Sequence, residues 1–425
     1  MTATAPPVPS PHAGRTVTLA ATGINLALGI LYTWSVLKAA IAKEWGWNAS
    51  ETALPYSVAC LVFAFSTVLA GRLQDRMGPR RIATAGGILV GAGCLLAGFL
   101  GNSVIGFVAG FGVLAGTGIG FGYASATPPA VKWFPPHRTG LVAGVVVAGF
   151  GLASVLWAPL ATALLGGFGT AKTMIILGVV FVAAVVVLAQ FLRNPPAGYV
   201  PGGAAPGGAA KRKVAARDCG PKEMLRAPRF WLLWTMFFFG AGVGLMLIGT
   251  ATKFGKTALG EANAFWLVVV LAVGNAGGRV LAGSLSDRIG RLWTLFAAFT
   301  CQALMVLALV FITDEALVLM GVVLVAGANY GANLSLFPAA AKDSWGLRNF
   351  GLNYGLLFTA WGLGGFALSQ VNGLLTDAFP ESGHRLSLYL AAGLLVLGAA
   401  LTFVSRAVDR RPGADPVATG DGPPH

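Results

Sequence analysis

The chain has 425 residues, of which 56% are apolar, 10% are charged and 60 are glycine. Counting glycine as apolar gives about 70%, against about 45–50% in a soluble domain, and charged residues fall well short of the usual quarter. That leaves too little polar surface for a water-soluble globule, so a polytopic membrane protein is expected, and the formal charge of +14 lacks the soluble basic domain that nucleic-acid binding needs. Cys60, Cys94, Cys219 and Cys301 are too far apart for metal-ligand spacing; no disulfide scaffold, zinc site or cofactor motif is indicated.

A bilayer core needs about 20 apolar residues per helix. Such runs recur twelve times, at residues 16–41, 52–72, 82–101, 104–131, 139–164, 170–193, 229–252, 263–285, 292–313, 316–341, 350–376 and 385–406. They predict an all-α membrane protein of two six-helix bundles, 16–193 and 229–406. Residues 1–15 form a proline-rich polar tail expected to be disordered. No small-residue cleavage site follows a short apolar core, so the first helix is expected to be retained rather than removed as a signal peptide. Between the bundles, residues 194–228 combine Pro195, Pro196, Pro201 and Pro206 with Gly/Ala pairs, the composition of a flexible linker. Its Lys211-Arg212-Lys213 run reads as an inner-surface anchor. Residues 407–425 form a second disordered tail.

Orientation follows from the 29 basic residues. With the N-terminus inside, 22 fall in cytoplasmic segments and five outside: Lys43, Lys172, Lys253, Lys256 and Arg385. Both termini and the linker are therefore expected in the cytoplasm, and the protein in the inner membrane. Lys38 and Arg279 remain within helices. Lys38 is near the outer end of its span and is expected to snorkel to the headgroups. Trp45, Trp47, Trp133, Trp231, Trp293 and Trp345 fall near span ends, as an interfacial belt requires.

The halves repeat. Gly71-Arg-Leu-Gln-Asp75-Arg76-Met-Gly78 joins spans two and three, and Gly283-Ser-Leu-Ser-Asp287-Arg288-Ile-Gly290 joins spans eight and nine. Pro128, Lys132 and Arg138 recur as Pro338, Lys342 and Arg348. Two matches at nearly one offset argue for a duplicated six-helix unit. Glycine would let helix ends approach, and Asp would meet a basic residue or helix N-terminus, holding the cytoplasmic side shut. The plain alternative is a tight turn that obeys the charge rule.

The doubled G-x-L-x-D-R-x-G pattern resembles the major facilitator superfamily. Lys132-Trp-Phe-Pro-Pro-His-Arg138-Thr-Gly140-Leu-Val-Ala-Gly144, with Val147-Ala-Gly149-Phe-Gly151 after it, and Asn353-Tyr354-Gly-Leu-Leu-Phe358-Thr-Ala-Trp361-Gly, resemble the oxalate/formate antiporter family. That family is related to the monocarboxylate transporters, and bacterial lactate transporters of this type are similar over about residues 16–406. The resemblance implies parallel repeats with a substrate between them near the midplane.

Arg279 falls deep in span eight. A cation there costs about 2.5–3.5 kcal/mol on insertion scales, and no Asp or Glu falls near the middle of any span. An unpaired guanidinium invites a mobile anion, since its two-pronged donor matches a carboxylate. Solvation by carbonyls and water near the inner end is the plain alternative. The resemblance also assigns the anion site to an arginine of the eighth helix. Asn275, four residues earlier on the same face, could hydrogen-bond a carboxylate or hydroxyl; animal monocarboxylate transporters carry an aspartate there, and an amide cannot titrate. Because the first, fourth and tenth helices line the cavity in the superfamily, the resemblance makes Asn25, Leu28, Tyr32, Tyr123, Asn329, Tyr330 and Asn333 candidate contacts. Packing is the rival role for each Tyr. The eleventh span adds Tyr354, Phe358 and Trp361. Oxalate carriers have a lysine about where Trp361 falls; without it a dianion would be undercompensated, so a small monocarboxylate such as lactate or pyruvate is expected.

Moving an anion inward against a negative-inside potential costs about 2.3 kcal/mol per 100 mV, so symport with one proton is the expected mode and carboxylate exchange the runner-up. All four histidines, His12, His137, His384 and His425, fall in tails or loops, which leaves Asp377, Glu261 or the substrate carboxylate to take the proton. An enzyme is excluded because no Ser, His or paired-carboxylate constellation falls at depth. Gly112, Gly116, Gly118, Gly120 and Gly122 fit helix packing better than a nucleotide loop, as no strand precedes them. A carboxylate sensor that moves nothing is the rival of another class, separable only by flux. The expected partners are the anion, the proton and the bilayer; no motif specifies a protein partner, and a monomer is the default.

Overall fold

In the computed structural model the chain is helical, with no strand among the described residues, which are 12–135, 138–196, 199, 219–311, 315–346 and 349–409. Residues 1–11 and 410–425, the Lys211-Arg212-Lys213 run, His137, Arg348 and the Asp75 side chain lie outside them. Among the described residues, ten helices are long and apolar enough to cross a membrane. In chain order the long helices are α1 (Ala13–Trp45), α2 (Ala49–Met77), α3 (Pro79–Leu100) and α4 (Val104–Val131), then the run Thr139–Ala189. Gly169 breaks that run with φ 75° and ψ 175°, a conformation open to glycine, and Trp157 meets Phe181 at 4.9 Å, so the chain folds back on itself. Residues 139–168 are α5 and 170–189 are α6. The second half comprises α7 (Pro228–Ile248), α8 (Phe265–Ile289), α9 (Arg291–Phe311), α10 (Ala316–Trp345), α11 (Phe350–Ala378) and α12 (Gly383–Asp409).

The duplication is visible in the packing. In the first half α1 packs on α5, α2 on α4 and α3 on α6; in the second α7 packs on α11, α8 on α10 and α9 on α12. The halves meet along α2–α11 and α5–α8, again equivalent pairs. Gly78 (φ 85°, ψ 158°) and Gly290 (φ 90°, ψ 156°) end α2 and α8 in one left-handed geometry that glycine alone adopts without strain. Gly71 and Gly283 do not mediate the expected close approach: a Cβ at either would meet nothing within 4 Å. The glycines of α4 do pack closely; a Cβ on Gly118 would stand 2.5 Å from the Gly86 carbonyl oxygen.

Both ends of the described chain lie on one face, called the terminal face: Gly14 lies against Trp133 and Phe134 at the end of α4, and Arg406 of α12 stacks over Trp293 at 4.3 Å. The polar contacts of Arg291 and Arg80 stay within a half there. Arg291 reaches Asp287 at 2.8 Å and Asp343 at 3.0 Å, and Arg80 donates to Gln190 at 2.6 Å. At the opposite, distal face the halves are joined. Asp377 of α11 accepts from the Ala49 and Ser50 amides at 2.9 and 2.8 Å and from the Ser50 hydroxyl, completing the N-terminus of α2 that Asn48 and Glu51 cap from their own half. Glu261 bridges Lys43 across the halves at 3.1 Å and Lys256 at 3.0 Å.

Four expectations are corrected. Lys38 is not a headgroup anchor; it follows the 3-10 turn Gly29–Thr33 and lines a cavity between the halves with Trp34, Tyr56, Thr250, Ser369 and Asn372. Trp47, Trp133 and Trp345 are buried, whereas Trp231 and Trp293 are exposed as belt residues should be. The end of the expected flexible linker is ordered: Cys219 donates its amide to the Trp345 carbonyl at 3.1 Å, Pro221–Arg226 is a short helix and Met224 is buried. The first helix also starts at Ala13, inside the expected tail.

Candidate substrate site

The two interfaces between halves bring α1, α2, α4, α5, α8, α10 and α11 around one narrow aromatic cleft. Tyr32, Phe63, Tyr123, Phe150, Arg279, Leu334, Phe358 and Trp361 line it. The rings pack edge to face around Phe63, which lies 5.3 Å from Tyr123 and 5.1 Å from Trp361, while Phe358 stacks on Trp361 at 4.9 Å.

Arg279 is the only charged side chain among those residues and is 8% exposed. Its helix can present it here because α8 and α10 cross with backbone nearly touching: a Cβ on Gly278 would lie 1.9 Å from the Ala328 carbonyl oxygen. The guanidinium is tethered on one side. Its Nε donates to Asn275 Oδ1 at 3.1 Å, and one terminal nitrogen donates to the Val147 carbonyl of α5, in the other half, at 3.0 Å. Among the described residues it forms no ion pair with a carboxylate. Tyr32, Tyr123 and Tyr354 lie within electrostatic range of it.

A hydrogen-bonded chain runs beside the charge and across the halves. Tyr32 and Tyr330 share a bond at 2.8 Å, and the Trp361 indole N–H donates to the Tyr330 hydroxyl at 2.9 Å. Trp361 therefore anchors Tyr330 as well as walling the cleft.

The expected residues divide. Arg279, Tyr32, Tyr123, Phe358 and Trp361 line the cleft, and Tyr330 is bonded to two of them. Asn275 holds Arg279 with its oxygen instead of facing a ligand, and its Nδ2 is buried without a partner among the described residues. Asn25 braces α1 on α5 through the Val146 carbonyl at 2.8 Å, and Leu28 packs toward Gly122. Asn333 donates to the Asn329 carbonyl at 3.0 Å and turns its oxygen toward α7 at Gly240, away from the cleft. Tyr354 stacks on Phe350 at 5.8 Å and touches Phe358 at 5.7 Å. Phe63, Phe150 and Leu334 were not anticipated. Leu334 is one turn beyond Tyr330 on α10, so the helical spacing that selected the tyrosine also points to it; Phe150 sits inside the Gly149-Phe-Gly151 motif, and nothing in the sequence marks Phe63.

Asp377 and Glu261 stand in the distal contacts, apart from the cleft. Burial works to raise the Asp377 carboxyl, but the hydrogen bonds from Ser50 and Ala49, with the charge of Lys38, outweigh it and hold the group below its ordinary value.

A family model described as the Major Facilitator Superfamily matches residues 17–369 and 257–423. The chain is 30% identical to the oxalate:formate antiporter of Oxalobacter formigenes, over 78% of this chain and 77% of that protein. It is 27% identical to monocarboxylate transporter 11 of Homo sapiens, over 92% and 82%. Among solved structures, a bacterial homologue of the human lysosomal transporter Spinster, inward-facing and unoccupied, shares the fold at a TM-score of 0.67 with 21% identity, covering 95% of this chain and all of that one.

Proposed function

We propose, from the premise that this chain belongs to the major facilitator superfamily, a secondary transporter and not an enzyme, that it carries small monocarboxylates of the lactate or pyruvate kind together with a proton. The observation that carries the reading is Arg279: a buried guanidinium facing an interhalf cleft with no acidic partner among the described residues. Its Nε–H is used by Asn275, and the two terminal nitrogens, one of which donates to the Val147 carbonyl, form the fork that would take both oxygens of a carboxylate when that carbonyl is displaced. The walls are aromatic and aliphatic, suited to a short apolar tail, and no second cation lines the cleft for a dianion. The named activities of the antiporter and the monocarboxylate transporter relatives support a carboxylate cargo.

The reading extends to topology. Twelve membrane spans arise when the two arms around Gly169 are counted separately and α11 is included; the terminal face is then cytoplasmic by the distribution of basic residues, in the bacterial inner membrane. The conformation is closed toward the outside by Asp377 and Glu261. Both carboxylates are held low by their partners, so their protonation would loosen that face only below the ordinary carboxylate range, and the accompanying proton is proposed to ride on the substrate carboxylate; the Gly71–Gly78 and Gly283–Gly290 motifs would lock the inner face in the opposite state. A proton cancels the charge of the anion, and with it a penalty of about 2.3 kcal/mol per 100 mV.

Uptake of labelled lactate into proteoliposomes with an acid exterior tests the proposal. Accumulation driven by the pH gradient is expected. If acidification changes nothing while internal formate or oxalate drives uptake, exchange is the mechanism, a reading favoured by the antiporter relative. Binding with no flux in either mode identifies a sensor.

A further inference from the structure

Consecutive carbonyls of α5 are held by side chains from both halves. Val146 accepts the Asn25 amide at 2.8 Å and Val147 accepts Arg279 at 3.0 Å. Glycine clears the approach on the α1 side, at Gly149, while Gly151 sits at ordinary contact distance from Arg279. At Gly149 a Cβ would stand 2.4 Å from the Thr22 carbonyl, and at Gly151 it would stand 3.6 Å from Arg279 Nε and 3.7 Å from Ala276. The guanidinium thus lies against helix α5 at the one interface where α5 and α8 bring the halves together.

We infer that the Val147 carbonyl is an internal stand-in for the cargo carboxylate: it occupies the guanidinium in the empty carrier and lets that empty form close and reorient. This rests on the carboxylate reading of Arg279. The physical argument is one of balance. An arginine with no partner in an aromatic cleft would be trapped in whichever state water could reach it, and an empty carrier would then stall, leaving exchange alone. A carbonyl satisfies hydrogen bonds but carries no net charge, so it holds the guanidinium less strongly than a carboxylate and yields to cargo. Because Val147 and Arg279 belong to different halves, their bond also draws the halves together across the site without a ligand. Asn275, on the helix of Arg279, cannot do this. Gly151 lies beside this bond, where a side chain longer than that of alanine would wedge Arg279 away from the carbonyl.

The test compares two fluxes in proteoliposomes, net efflux of labelled lactate into lactate-free buffer and exchange against external lactate, in wild type, Gly151→Ala and Gly151→Leu. Wild type should perform both. Leucine wedges Arg279 and Ala276 away from α5, so net efflux should fall about tenfold or more, the loss of one charged hydrogen bond, while exchange falls less than about threefold. Alanine, whose Cβ meets Arg279 at an ordinary 3.6 Å, should behave as wild type. A wild-type protein that exchanges without net efflux overturns the inference, as does a proportional loss of both modes or an unchanged ratio. If the leucine variant is not monodisperse, Gly151→Val is read by the same ratio, and the wild-type measurement stands regardless. Absence of carboxylate flux in both modes in wild type would instead remove the carboxylate reading itself.

Discussion

Replacing Arg279 with Gln probes the proposed site directly. The side chain offers five donors, of which Nε–H is held by Asn275 and one terminal N–H by the Val147 carbonyl that cargo would displace. The terminal pair can then meet both carboxylate oxygens through two charge-assisted bonds, each worth about 1.5–3 kcal/mol. Losing both predicts a penalty of about 3–6 kcal/mol, or at least a hundredfold weaker binding at about 1.4 kcal/mol per decade. The fold should not suffer. Gln retains an amide that can donate to Val147, and its neutrality removes a desolvation penalty of about 2.5–3.5 kcal/mol on insertion scales. The assay is lactate binding to purified protein by calorimetry or thermal shift, alongside size-exclusion profiles. The expected result is a monodisperse variant with an unchanged or slightly higher Tm and no lactate-dependent shift. A Gln variant that binds lactate within about threefold of wild type would refute the reasoning, because no other cation lines the cleft. Arg279→Lys should recover only part of the affinity, since a point charge lacks the paired geometry.

Asp377→Asn should loosen the distal closure. An amide accepts less well than a carboxylate from the Ala49 and Ser50 amides, and loss of a cap costs about 0.5–2 kcal/mol, a two- to thirtyfold shift toward the outward-open state readable by labelling of Ser369→Cys. The pH dependence has a definite sign: the closed state holds the Asp377 carboxyl low, so its contribution is complete above the ordinary carboxylate value and is lost as pH falls through the lowered one. Labelling should stay flat from about pH 5 to 8 and rise only below about pH 4; a rise near neutrality would mean another group opens the face. Tyr330→Phe leaves the Tyr32 hydroxyl and the Trp361 N–H without their shared partner, at about 1–3 kcal/mol and a lower Tm. Gly290→Ala should cost about 1–2 kcal/mol because φ is 90° there, with Gly78→Ala equivalent; a neutral effect at both would remove the shared-turn account.

Much of this architecture was legible because the bilayer restricts the options. Apolar runs marked the helices, and the repeated Gly78 and Gly290 turns marked the duplication, since only backbone geometry demands glycine there. Arg279 stood out for the same reason: a charge in oil must have a partner. What the sequence could not convey is the direction a polar residue faces on a helix surrounded by other helices. Asn25, Asn275 and Asn333 looked alike as candidate ligands. One braces α1, one holds the arginine on its own helix and one turns toward α7, because each meets a different neighbour. Lys38 misled in the opposite sense. Its distance along the span suggested the headgroups, yet it lines a cavity between the halves.

The distribution of contacts explains how one site can serve two faces. Among the described residues, direct polar bonds between the halves run from the distal face, at Asp377 and Glu261, through the Ser35–Thr252, Tyr56–Leu245 and Ser57–Gln370 pairs, to the Tyr32–Tyr330 and Arg279–Val147 pairs beside the cleft. The terminal-face ion pairs, Arg291 with Asp287 and Asp343, remain inside one half. Opening the distal face would therefore break the Ser35–Thr252, Tyr56–Leu245 and Ser57–Gln370 bonds as well as the exposed carboxylate contacts, and only the latter are well compensated by water. In the proposed cycle, rocking about the cleft would break the contacts of one face at a time, whereas sliding one half past the other would break all of them together.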